Sequence, residues 1–178
     1  MPLPKLIRAA TAFALCCGAA CAEGLDHLAS PVPTTMPTVP SSGATAYITV
    51  SDLSPRVGDT VIVSLATLEG PGGQPIGSYT LSVAYAHAGL RYVETVPQGE
   101  GMVVANGSDS STVVAGASID GFTSGTLATM RMIVLDPSAI HSLALHVMEL
   151  TSIRFADKSR STTVDHSVFV HPQLRDLR

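Results

Sequence analysis

Tyr79-Thr80-Leu81-Ser82-Val83-Ala84-Tyr85 alternates large apolar with small residues without a break, and a second strand-like run, Leu90 to Val96, follows after a turn. Side chains on a strand point to opposite faces in turn, so this pattern buries Tyr79, Leu81, Val83 and Tyr85 together and leaves Thr80, Ser82 and Ala84 outside. The same reading recurs from Val61 to Leu68 and from Ala128 to Val134. No stretch after the N-terminal segment keeps a helical period for three turns. The chain reads as a protein of two-faced sheets.

Upstream, Lys5 and Arg8 precede an uncharged run from Ala9 to Ala20 and small residues around Cys21 and Ala22, the layout of a secretory signal. A membrane span needs ~20 apolar residues in a helix, and this run ends sooner. Two cleavage readings stand side by side. Ala20-Cys21-Ala22 fits the small-x-small pattern of ordinary signal peptidase, and Gly18-Ala19-Ala20-Cys21 resembles a bacterial lipobox with Gly18 in place of the usual Leu, which makes Cys21 a lipidation candidate. Cys16, Cys17 and Cys21 all lie at or before these sites, so the mature domain is expected to form no internal disulfide and to rely on its core.

Removing Lys5 and Arg8 with the signal leaves eight basic residues against fourteen acidic ones, a net charge of −6. That balance argues against nucleic acid and anionic lipid as partners. Any membrane attachment is expected only through an N-terminal lipid. Arg154, Lys158 and Arg160 cluster late in the chain, but Asp157 and Asp165 bracket them, and the expectation is a solvated hairpin tip.

Between signal and first strand, Ser30 to Gly43 is rich in Pro, Ser and Thr and carries no charge. Proline fixes an extended backbone and removes donors, so this segment is expected to be a stiff spacer. The predicted organisation is a signal peptide over 1–22, a linker over 23–44, a sandwich domain over 45–171 and a tail over 172–178. From Tyr47 onward turn signals fall at short intervals: Ser54-Pro55, Gly70-Pro71-Gly72-Gly73, Pro97-Gln98-Gly99, Asn106-Gly107, Asp120-Gly121 and Asp136-Pro137. Strands are expected near 46–52, 60–68, 77–86, 90–96, 101–105, 111–117, 124–135, 142–155 and 162–170, as in an all-β antiparallel sandwich. Leu143, Leu145 and Val147 share a face and Met148 and Leu150 switch parity, which places a bulge near Val147 or Met148.

Val57-Gly58-Asp59-Thr60-Val61, then Gly77 to Tyr85, then Leu90-Arg91-Tyr92-Val93, then Val113 to Ser118, then Gly125 to Met130, in that order and spacing, resemble the cohesin family of bacterial extracellular modules. The likeness covers nearly the whole predicted domain. Where family members often carry an Asp-Pro pair after the alternating strand, this chain has Ala86-His87-Ala88-Gly89. The resemblance implies a nine-stranded jelly-roll-like sandwich and a non-catalytic module that binds a dockerin through one sheet face. It links such modules to assemblies that degrade plant polysaccharides. The chain carries no dockerin of its own, since it lacks regularly spaced Asp and Asn ligands followed by a long helix.

Reactive chemistry is thin. His27, His87, His141, His146, His166 and His171 are scattered without metal-ligand spacing, although His146 and His166 would approach one another if their strands paired. Gly121-Phe122-Thr123-Ser124-Gly125 has Thr123 where a nucleophile elbow needs its nucleophile, and no helix follows. Asp109 and Asp120 are expected in loops; their convergence would be needed for glycosidase chemistry or for a structural calcium, the one cofactor considered. The chain has no Trp, and with Tyr79, Tyr85 and Tyr92 placed inward, Tyr47 is the ring expected on the surface.

The resulting expectation is an exported, non-enzymatic module, at the cell surface, on a periplasm-facing membrane or secreted. It would bind a dockerin-like or other exported protein through a face that includes Ser78, Thr80, Ser82 and Ser111. Two alternatives remain: a carbohydrate-binding module taking a polysaccharide, and a subunit of a surface appendage joined by strand exchange. The latter predicts an unpaired apolar edge strand.

Overall fold

A computed structural model describes residues 36–96, 101–123 and 125–171. The segments expected as signal peptide, with Cys21, as most of the linker and as the tail lie outside these residues. Nine strands form two sheets: β1 (Ala44–Val50), β2 (Thr60–Glu69), β3 (Ile76–Ala84), β4 (Leu90–Val96), β5 (Met102–Gly107), β6 (Ser111–Phe122), β7 (Thr126–Val134), β8 (Ala144–Ser152) and β9 (Thr162–Val170). One sheet runs β4-β7-β2-β1-β9 and the other β5-β6-β3-β8. Every pairing is antiparallel except β1 with β9, which is parallel.

Alternation decides which side chains fill the space between the sheets. Ala46, Ile48, Val50, Val63, Leu65, Leu127, Met130 and Met132 come from one sheet, and Tyr79, Leu81, Val83, Val114, Leu145 and Leu150 from the other, all in one buried cluster. Burying such side chains stabilises the fold by about 1.5–3 kcal/mol each. Tyr79 adds a polar tie: its hydroxyl donates to the carbonyl of Leu127 on the opposite sheet, while its ring meets Phe122 edge-on at 5.1 Å. Burial pushes the phenol's pKa up, so it remains a donor throughout the working pH range. The ring also explains a glycine within a strand, because a Cβ on Gly116 would come within 2.5 Å of it.

The strand expected over 142–155 starts later and ends earlier. Pro137–Ser142 forms a 3-10 turn, capped by Asp136, whose carboxylate accepts from the Ser138 N–H at 2.9 Å. Proline in the first turn of such a segment costs no hydrogen bond. The strand itself is shorter, Ala144–Ser152, and its bulge falls at Met148, the residue skipped between Val147 opposite Leu81 and Glu149 opposite Thr80.

Beyond β8 the chain turns at Phe155, whose φ of 61° is the left-handed region that a bulky L-residue adopts only at a cost, and whose side chain is 91% exposed. Asn tolerates that conformation and nothing buried is lost by the exchange. Phe155→Asn is therefore expected to stabilise the domain by about 1 kcal/mol, read as a raised denaturant midpoint at unchanged slope.

Arg154 and Arg160 are exposed, as expected of a solvated basic tip, but Lys158 is not. Its ammonium pairs with the Glu69 carboxylate and donates to the carbonyl of Gln74 at 2.8 Å, and its side chain is only 14% exposed. The reason is topological: β8 and β9 are joined across the end of the sandwich where β2 finishes, so Lys158 meets Glu69. Charge spacing along the chain does not carry that information. In the same turn, the Asp157 carboxylate accepts from the backbone N–H of Ser159, and this bond, with smaller help from the Ser159 hydroxyl and Arg160, holds its pKa below the ordinary carboxylate value.

Candidate functional site

The outer face of the β5-β6-β3-β8 sheet gathers the residues expected to meet a partner. Ser78 lies between Ala117 and Thr151, Thr80 between Ala115 and Glu149, and Ser82 between Val113 and His146. These three occupy one row along β3, two residues apart, on the face opposite Leu81 and Val83. Ser111 stands at the end of that face, opposite Ala84. It is engaged locally, exchanging hydrogen bonds with Ser108 across the β5–β6 turn. The Tyr85 hydroxyl closes the same turn by donating to the carbonyl of Ser108 at 2.6 Å.

Across β6 and β5 the face becomes apolar. Val113, Ala115 and Ala117 point outward on β6, opposite Asn106, Val104 and Met102 on β5. Met102 is 70% exposed and Val104 61%. A shallow depression of about 270 Å³ runs over Ser78, Thr80, Met102, Val104, Ala115 and Glu149. Its surface is thus divided, with small polar groups and the Glu149 carboxylate on the β3–β8 side and bare methyl and thioether groups on the β5–β6 side. The serine and threonine row is legible from alternation. The apolar half is not: Met102 to Ala105 and Val113 to Ala117 are apolar or small at every position, so no alternation marks their outer side, and only the pairing order sets them beside β3.

The other expected constellations do not assemble. Tyr47 has the outward phase on β1, but it is 7% exposed and meets Phe169 edge-on at 6.0 Å beside Ala66 and Leu68. Burial raises its phenol pKa. Outward phase does not mean solvent exposure here, because the outer side of this sheet carries an apolar cluster of its own. Asp120 lies within β6 and Asp109 before it, so they sit toward opposite ends of one strand and cannot share a cation or flank a sugar. His146 is on β8 and His166 on β9, in different sheets. Among the described residues no three His, Cys, Asp or Glu side chains gather as metal ligands.

A larger hollow of about 800 Å³ lies on the opposite sheet, over Asp52, Asp59, Thr60, Ile62, Glu94, Thr129 and Arg131. Its charged groups are committed elsewhere. Asp59 accepts from the Arg56 N–H, Asp52 from the Ser54 N–H, and Glu94 from Arg131 at 2.8 Å. Acids tied into turns and ion pairs are poor candidates for proton transfer, so this hollow offers volume without chemistry.

No protein-family model matches the chain. No curated protein matches it significantly. Solved structures do resemble it. A non-cellulosomal cohesin from the archaeon Archaeoglobus fulgidus superposes with a TM-score of 0.52 at 14% identity, over 72% of this chain and 93% of that one. The second type II cohesin module from the ScaA scaffoldin of Acetivibrio cellulolyticus gives 0.51 at 10% identity, over 71% and 94%. The type I cohesin–dockerin complex Coh-OlpC-Doc435 from Clostridium thermocellum gives 0.52 at 14% identity, over 74% and 94%. At such identity the likeness speaks for the backbone: this domain has the nine-stranded cohesin-type sandwich fold.

Proposed function

We propose that the chain is a non-catalytic recognition module whose β5-β6-β3-β8 face binds another exported protein, with a dockerin-type module as the leading partner class. The observation that carries this reading is the divided face itself: exposed Met102, Val104 and Val113 beside the Ser78, Thr80 and Ser82 row, with Glu149 at its margin. Exposed apolar side chains clustered on one face and rimmed by polar groups are what protein interfaces are built from. Support for the partner class comes from structural neighbours solved as cohesin–dockerin complexes, among them Coh-OlpC with Doc435. Export, with Cys21 either lipidated or removed, rests on the N-terminal sequence. Among the described residues no helix is long and apolar enough to cross a membrane.

The carbohydrate-binding alternative is left without an exposed tyrosine to stack on a sugar, because Tyr47, the ring expected on the surface, is buried against Phe169. A link to polysaccharide breakdown would then run through whatever protein docks on the face.

The test uses a panel of purified dockerin modules and, separately, insoluble glycans. Ala115 sits in the middle of the depression, so Ala115→Arg is expected to weaken binding of a captured dockerin by about 30-fold or more, the loss typical of a central contact. Thr60→Arg, on the opposite sheet, should leave binding unchanged. Titration calorimetry with both variants decides the matter. Binding that survives Ala115→Arg but is lost in Thr60→Arg, or retention on glycans with no protein bound, would sink the reading.

A further inference from the structure

The two sheets have four edge strands, and three are protected against pairing with another chain. β4 carries Arg91 and Glu94 and breaks register between Tyr92 and Glu94. β9 breaks register against β1 around Asp165 and His166. β8 has its bulge at Met148, and the following turn covers its free side. There the Leu150 carbonyl accepts from the Lys158 N–H and the Leu150 N–H donates to the Ser159 hydroxyl, Ser152 donates to Ala156, and Thr151 bridges to Asp157. Bulges, charges and covering loops are the ordinary means by which sheets avoid edge-to-edge association.

Among the described residues β5 has none of them. Met102-Val103-Val104-Ala105-Asn106-Gly107 contains no charge and no proline, and pairs with β6 in unbroken register. Its free side is hydrogen-bonded to no other strand among the described residues. We propose that this edge pairs with the β5 edge of a second copy of the chain. The antiparallel two-fold pair would join the two four-stranded sheets into one continuous sheet.

The absence of charge favours a second copy over a foreign strand. In a two-fold pair each residue near the axis approaches its own counterpart, so any charge there would meet itself, and like charges opposite one another destabilise a sheet. A strand adapted to a different partner has no such restriction and gains from complementary charges. The pairing would also cover the flanks of Met102 and Val104 and set two partner-binding faces side by side, converting a monovalent module into a bivalent one. The inference goes beyond the partner-binding reading and does not depend on it.

The experiment is sedimentation equilibrium on the purified chain, under reducing conditions so that Cys16, Cys17 and Cys21 cannot cross-link copies. A concentration-dependent dimer is expected. Val104 lies next to the middle of β5, and because it is 61% exposed its replacement should leave the fold intact, which circular dichroism and thermal unfolding check. Val104→Lys and Val104→Glu should each raise the dimer dissociation constant by about tenfold. An equimolar mixture of the two variants should recover dimer. A wild-type chain that stays monomeric at every concentration, assembly beyond two copies, a Val104→Lys variant that dimerises normally, or a mixture that remains monomeric would each overturn the proposal.

Discussion

Tyr79→Ala is expected to lower the unfolding free energy by about 4 kcal/mol, the upper range for emptying a large aromatic site in a packed core. The ring is 2% exposed, lies edge-on to Phe122 and fills the space above Gly116. Its removal opens a cavity between the sheets and leaves the Leu127 carbonyl without its donor. Tyr79→Phe separates the two effects: it keeps the ring and removes only the hydroxyl, and should cost about 1–2 kcal/mol. Urea unfolding of both variants measures the difference. Equal losses in the two would mean that the inter-sheet hydrogen bond, and not the ring, holds this region of the core.

Lys158→Met should cost about 3 kcal/mol, the lower end for breaking a largely buried ion pair, because it strands the Glu69 carboxylate beneath the turn that follows β8. Partial access of water to both side chains keeps the loss from being larger. The companion experiment is the double variant Lys158→Met with Glu69→Leu. With neither charge left to desolvate, it should regain most of the lost stability in the same denaturation assay. If the double variant were as unstable as Lys158→Met alone, the contribution of Lys158 would lie in its bond to the Gln74 carbonyl and not in the ion pair.

These two residues show how differently a sequence exposes its structure. Tyr79 is placed inward by its own neighbours, since period-two alternation is a local signal and β3 is half buried along its whole length. The bulge of β8 is legible to within Val147 or Met148 for the same reason: a parity switch is visible in the string of residues itself. The surroundings of Lys158 and Tyr47 are not legible, because they come from segments distant in sequence, Glu69 on β2 for the one and Phe169 on β9 for the other.

The candidate face divides along the same line. Ser78, Thr80 and Ser82 follow from the phase of one strand, whereas the apolar half contributed by β5 and β6 depends on the order β5-β6-β3-β8, which no local pattern encodes. Asp109 and Asp120 fail to converge for a related reason. The strand expected over 111–117 continues to Phe122, and those added residues carry one acid away from the other.

The parallel alignment of β1 with β9 sets how the domain bears load. Ala44 stands beside Thr162 and Val50 beside Val170, so the chain enters at one end of this pair and leaves at the other. A pull between the residues flanking these two strands acts along the ladder and strains its hydrogen bonds together, where an antiparallel pair gripped at adjacent ends would unzip bond by bond. A module held by its leading segment and tugged from beyond β9 would resist as a mechanical clasp.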